Sequence, residues 1–181
     1  MVKAVFSRSH SFQFRRALFL ITFALLAVTG CKPKYTLTGG NIGEDIKTFR
    51  VVPFQNNADI VEPGIEKIFT NRLQDLIKDK THLNLTSSGG DLVYEGEITE
   101  YRVSPMTATA NQRASQNRLT ISVMVRFTNK KKESNNFEKR FSFYYDFAGN
   151  DLSTGQTLAT ALDEIFERIT QDIFNESLGK W

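Results

Sequence analysis

The sequence predicts an α+β fold: two helices packed on one face of a mixed, mostly antiparallel sheet of four or five strands, a two-layer sandwich. Three observations predict it. Residues 118–129 alternate, with Leu119, Ile121, Val123, Val125 and Phe127 against Thr120, Ser122, Met124, Arg126 and Thr128. Residues 137–147 repeat the pattern: Phe137, Phe141, Phe143, Tyr145 and Phe147 stand against Glu138, Arg140, Ser142, Tyr144 and Asp146, with Lys139 as the exception on the apolar side. A period of two marks antiparallel strands covered on one face. Two stretches with apolar residues at helical spacing, 63–78 and 153–177, supply that cover.

The chain begins with an export signal. Arg15 and Arg16 precede an apolar run over 17–28, and Thr29, Gly30 and Cys31 follow. A basic start, a short apolar middle and small residues at the end make a secretory signal. Its length is below the roughly 20 residues that span a bilayer. Leu26-Ala27-Val28-Thr29-Gly30-Cys31 resembles the bacterial lipobox, where cleavage precedes the cysteine and the thiol receives a diacylglyceryl group. The competing reading is a non-cleaved anchor, or an ordinary secretory signal with an incidental cysteine. Cys31 is the single cysteine, so it has no intramolecular disulfide partner. Two or three acyl chains give stable anchoring that one chain does not. Three segments follow: a cleaved signal at 1–30, a lipidated tether at 31–46 and one domain at 47–181.

Processing changes the charge. The full chain carries 23 basic and 20 acidic residues, a net +3. Lys3, Arg8, Arg15 and Arg16 leave with the signal, so 19 basic residues face 20 acidic ones in the mature chain. No global basic field remains to attract nucleic acid. The remaining 151 residues are enough for one domain with a full core.

Along that domain, Pro33, Gly39, Gly40 and Gly43 mark the tether. Residues 48–54 read as a strand, with Pro53 placing its end at an edge or bulge. Gln55-Asn56-Asn57 reads as a polar turn. Pro63 suits a first helical turn, and Ile65, Ile68, Phe69, Leu73, Leu76 and Ile77 form the apolar stripe of a helix to residue 78. Residues 83–85 form a short strand, and if the helix joins parallel strands the crossover is right-handed. In 91–103, Leu92, Tyr94 and Ile98 share a face while Tyr101 and Val103 are out of phase, which predicts a bulge near Glu100. Ser153 and Gln156 form a capping box, and Leu158, Leu162, Ile165, Ile169, Ile173 and Phe174 follow as the stripe of a second helix.

Catalytic constellations are scarce. His82 is the only histidine after the signal and lies in a turn, without the partners that a metal site or a triad needs. Glu95 and Glu97 lie on the polar side of their strand, where solvation accounts for them. Gly89-Gly90-Asp91 lacks phosphate-loop spacing and reads as a turn. The expectation is a protein without catalytic activity, metal or cofactor, apart from the covalent lipid on Cys31.

Two basic loops stand out instead. Residues 104–117, with Arg113 and then Arg118, exceed the usual hairpin loop. Lys130-Lys131-Lys132 lies at the next hairpin tip, where the charges either meet phosphates or form a solvated turn that discourages edge pairing. Consecutive hairpins turn at opposite ends of a sheet, so Arg113 and Arg118 belong to one end and the lysines to the other. Of the two, the arginine end has the loop long enough to reshape around a ligand.

Several short stretches together resemble one family. They are Phe54-Gln55-Asn56-Asn57-Ala58, Gly90-Asp91-Leu92, Gly96-Glu97-Ile98 with Tyr101, and Asn117-Arg118-Leu119-Thr120-Ile121. Phe141-Ser142 with Asp146-Phe147, and Asp172-Ile173-Phe174-Asn175 with Trp181, complete the set. In this order behind a lipobox, they resemble the LptE-like lipopolysaccharide-assembly lipoproteins of Gram-negative outer membranes. The resemblance implies two helices on a mixed sheet, an outer-membrane lipid anchor and a periplasmic or barrel-enclosed domain. It also implies partnership with the LptD β-barrel, whose lumen the lipoprotein plugs and whose assembly and lipopolysaccharide delivery it assists. Only Cys31 carries over as a functional position; Arg113, Arg118, Lys130, Lys131 and Lys132 are the candidate lipopolysaccharide contacts. The alternative is a structural or inhibitory periplasmic lipoprotein without a transport role.

Overall fold

A computed structural model of the chain describes residues 42–60, 62–106, 116–149, 152 and 155–179. Cys31, Arg113 and the capping residue Ser153 lie outside the described residues, as does the signal.

The described chain runs β1 (Thr48–Val51), β2 (Gln55–Asn56), α1 (Ile65–Lys80), β3 (Asn84–Leu85), β4 (Leu92–Pro105), β5 (Gln116–Asn129), β6 (Phe137–Ala148) and α2 (Gly155–Leu178). The sheet order is β3-β1-β4-β5-β6, with β2 also on β4. β1 lies parallel to β3 and β4, and β2 parallel to β4. β4, β5 and β6 form an antiparallel meander. The two-layer α+β architecture is as expected, with six strands rather than four or five.

The extra strand replaces the expected polar turn. Pro53 has no N–H to donate, so β1 stops and the chain dips to bury Phe54. It then rejoins β4, with Gln55 opposite Glu97 and Asn57 N–H donating to the Ile98 carbonyl at 2.9 Å. Gly96 makes that dip possible. A Cβ there would press on the Met124 carbonyl and come within 2.9 Å of the Phe54 ring.

Alternation buries Leu119, Ile121, Val123, Val125 and Phe127 of β5 and Phe141 and Phe147 of β6, with Phe137, Phe143 and Tyr145 partly buried against them. Val51, Tyr94, Phe127 and Phe137 form one row across the sheet, with ring centroids 4.9 Å apart for Tyr94–Phe127 and 5.3 Å for Phe127–Phe137. The helices cover this face. Phe69 of α1 packs edge-on against Phe54 at 4.9 Å and against Phe166 of α2 at 5.2 Å, so one ring joins sheet edge and both helices. Such aromatic pairs contribute about 0.5–1.5 kcal/mol each beyond the area they bury. Phe166 is fully buried but falls outside the expected stripe, because the two helices pack on each other as well as on the sheet.

Ile68 departs from its expected place, being 48% exposed. Thr70 is buried instead: its hydroxyl donates to the Glu66 carbonyl at 2.7 Å and accepts the Phe54 N–H at 3.0 Å. The inward face of α1 is thus rotated toward Thr70 by a polar contact. The bulge near Glu100 is present, as a register shift between Ile98 and Glu100. Lys139, the charge on the apolar side of β6, reaches over to Glu176 of α2 at 2.9 Å.

Candidate functional site

The three long strands present a second face, away from the helices, on which polar side chains line up in rows. Register sets the rows. Glu95, Arg126 and Glu138 stand opposite one another on β4, β5 and β6, and the central guanidinium bridges both carboxylates at 3.1 and 3.0 Å. The bulge then brings Glu100 opposite Ser122, which is opposite Ser142. Glu100 accepts hydrogen bonds from the Ser122 hydroxyl at 2.7 Å, Arg102 at 2.8 Å and Arg140 at 2.6 Å. The Ser122 hydroxyl bond, followed by the two arginines, holds the Glu100 carboxyl below its ordinary range against the opposing effect of burial.

Arg118 belongs to a third row. It lies between Ser104 and Asp146, bonds the carboxylate of Asp146 through two nitrogens, and places its Cζ 3.6 Å from the centre of the Tyr144 ring. The hydrogen bond to Asp146 raises the Arg118 pKa, and the same bond lowers that of Asp146. A planar guanidinium is suited to both contacts at once.

The lysine hairpin lies at the other end of the sheet, as the hairpin argument requires. Asn129 and Asn136 shape it: the Asn129 side-chain oxygen accepts the N–H groups of Lys131 and Lys132, each at 2.9 Å, and Asn136 accepts the Asn129 N–H at 2.7 Å. All three lysines are exposed. Lys131 lies 3.6 Å from Asp91. Asp91 itself ties the start of β1 to β4, accepting the N–H groups of Lys47 and Thr48 at 3.0 Å each and the Thr48 hydroxyl at 2.8 Å. The Lys47 N–H bond, then the Thr48 hydroxyl, lower the Asp91 carboxyl to about 2. Beside this hairpin a cavity of about 460 Å³ is lined by Ile42, Ile46, Lys132, Phe137, Glu176 and Leu178. The described end of the tether therefore packs at the lysine end.

The structure thus separates the candidate contacts. Arg118 lies at one end within a paired cluster, Lys130, Lys131 and Lys132 at the other, and Arg113 lies outside the described residues. The face between them joins residues that sequence reasoning did not group: Glu100 with Arg102, Arg140, Ser122 and Ser142. The phase break at Tyr101 signalled the bulge, but which residues meet across it depends on pairing register. Chemically, the face offers charges already neutralised in pairs, suited to a polar, hydrated surface. Among the described residues no cluster of three potential metal ligands occurs, and no helix is long and apolar enough to cross a membrane.

Comparison with known proteins gives one family. The model of the LptE family, described as lipopolysaccharide-assembly, matches residues 46–177. No curated protein sequence matches the chain. Among solved structures, the hypothetical protein CT253 from Chlamydia trachomatis is similar at a TM-score of 0.50 and 10% identity, covering 73% of this chain and 98% of that one. At that identity the likeness concerns the fold alone. The minor lipoprotein from Acinetobacter baumannii has a TM-score of 0.42 and 12% identity over 74% of this chain and 96% of its own. The rare lipoprotein B from Shewanella oneidensis has 0.43 and 10%, over 70% and 89%.

Proposed function

The chain belongs to the LptE family of lipopolysaccharide-assembly proteins, and on that premise we propose that it is an outer-membrane lipoprotein, acylated on Cys31, that associates with an LptD-type β-barrel. It supports assembly of that barrel and delivery of lipopolysaccharide to the outer leaflet. Its role is binding rather than catalysis, and the covalent lipid is its only attached group.

The observation that carries the partner reading is the paired-charge face of β4, β5 and β6. A large outer-membrane barrel has a polar interior. A protein enclosed there must present polar groups without leaving a charge unsatisfied, because a desolvated unpaired charge is costly. The rows centred on Arg126, Glu100 and Arg118 meet that requirement. Of the basic groups at the sheet ends, Arg118 is already engaged by Asp146, and the exposed Lys130, Lys131 and Lys132 supply contacts for lipid phosphates through charge-assisted hydrogen bonds.

Affinity purification of the full-length lipoprotein from detergent-extracted membranes tests the partnership. A large β-barrel should co-purify in constant proportion and survive moderate salt. Recovery of the lipoprotein without any barrel would favour the structural or inhibitory alternative.

A further inference from the structure

The cations of the three long strands are all engaged. Arg102 and Arg140 meet Glu100, Arg118 meets Asp146, Arg126 meets Glu95 and Glu138, and Lys139 meets Glu176. The turn between β5 and β6 differs. Lys130, Lys131 and Lys132 are consecutive and exposed. Among the described residues only Lys131 of the three forms an ion pair, with Asp91 at 3.6 Å. Glu133 follows them in sequence but bridges none of them. Unpaired ammonium groups are therefore concentrated at this one tip of the meander.

The chain enters the domain from its anchor at the same place. The Asp91 carboxylate accepts the N–H groups of Lys47 and Thr48, where the tether becomes β1, and the Asp91 carbonyl accepts the Lys130 N–H at 2.9 Å. One residue thus fastens the tether and the lysine turn together. Ile42 and Ile46 pack against the core, and with Lys132 they line one cavity. Cys31 stands eleven residues before Ile42, so the two are at most about 38 Å apart. Strand β5 has 14 residues, a length of about 46 Å. A domain held by so short a lead from its lysine end keeps that end within reach of the leaflet that holds the lipid.

We propose that the Lys130–Lys132 turn docks on anionic phospholipid headgroups of the leaflet that holds the Cys31 acyl chains, so that the domain stands on that membrane by its lysine end. The inference rests on acylation of Cys31, and it names the source of the phosphates that the turn meets. Acyl chains joined to a cluster of lysines bind an anionic surface more firmly than either alone. Asn129 and Asn136 already satisfy the backbone of the turn, which leaves the ammonium groups to meet headgroups.

The test uses the full-length protein, acylated on Cys31, in vesicles of phosphatidylethanolamine with phosphatidylglycerol and in vesicles of phosphatidylcholine alone. A water-soluble amine-labelling reagent and mass spectrometry report each lysine separately. In the anionic vesicles Lys130, Lys131 and Lys132 should react about fivefold more slowly than in the zwitterionic ones. Lys67, exposed in the first turn of α1, should react equally in both. Added salt should abolish the difference. The variant Lys130→Arg, Lys131→Arg, Lys132→Arg should keep slowed hydrogen exchange of the turn in anionic vesicles. The variant Lys130→Glu, Lys131→Glu, Lys132→Glu should lose it at unchanged Tm. Equal reactivity of the three lysines in both vesicles, or equal slowing at Lys67, would overturn the proposal. So would slowing that required lipopolysaccharide in the vesicles, which would assign the turn to that lipid. An unmodified Cys31 thiol in the same spectra would instead remove the anchor, and this inference with it.

Discussion

Arg118 and Asp146 meet across β5 and β6 through two hydrogen bonds, Nε to Oδ1 at 2.7 Å and Nη2 to Oδ2 at 2.8 Å. This pairing changes what Arg118 can do. As a sequence position it is a basic residue beside a long loop; in the fold its charge is already engaged by a carboxylate and an aromatic ring.

Charge reversal at Arg118 therefore acts on stability as well as on ligand. Arg118→Glu should lower Tm, because it places two carboxylates opposite each other, and the double variant Arg118→Glu, Asp146→Arg should recover most of the loss. Thermal denaturation of the wild type, the single variants Arg118→Glu and Asp146→Arg, and the double variant measures this.

Acid should release the Asp91 clamp. A carboxyl with a depressed folded pKa contributes stability that is fully present above its unfolded value, here 3.8, and is lost as pH falls toward its folded value of about 2. Tm should therefore fall between about pH 4 and pH 2. Asp91→Asn should flatten that limb and lower Tm at neutral pH. An unchanged acid limb would show that Asp91 is not a principal titrating contact.

The two layers should respond differently to truncation. Phe141 and Ile165 are buried on β6 and α2, and each change to Ala should cost roughly 2–5 kcal/mol. Thr120→Ala, on the polar face, should stay within about 0.5 kcal/mol. Equal losses at all three positions in urea denaturation would contradict a sheet with one covered face.

Gly96→Ala should be worse than its small volume implies. The added methyl meets the Met124 carbonyl and the Phe54 ring, and overpacking of this kind costs roughly 1–3 kcal/mol. Restoring space with Phe54→Leu should recover only part, since the backbone contact remains.

Much of this fold was legible in the sequence, for identifiable reasons. Strands β5 and β6 alternate over more than ten residues, so register errors would expose an entire apolar set. The bulge at Glu100 was readable because Tyr101 and Val103 change phase. β2 was not readable: Gln55-Asn56 is polar because it pairs at an edge, and a two-residue parallel strand has no period. Ile68 was misplaced because periodicity cannot see the bond between Thr70 and Phe54. The polar face was legible as a face, but the grouping around Glu100 required the cross-strand register. The opposite placement of Arg118 and the lysines followed from hairpin geometry alone.

Lipidation has a direct test. Cys31→Ser should abolish acylation and release the domain from membranes. The purified domain should retain its fold, since the substitution removes no residue of the described core. Mass spectrometry of the mature wild-type protein should find a lipid on Cys31 and no residues before it; an unmodified thiol would exclude the anchor.

The most direct measurement of the proposed role is the arrival of newly made lipopolysaccharide at the cell surface after the protein is depleted. Surface labelling should fall as the protein disappears, with lipopolysaccharide accumulating inside the envelope, and re-expression of the wild-type chain should restore it. Unchanged surface arrival in fully depleted cells would contradict a role in lipopolysaccharide delivery.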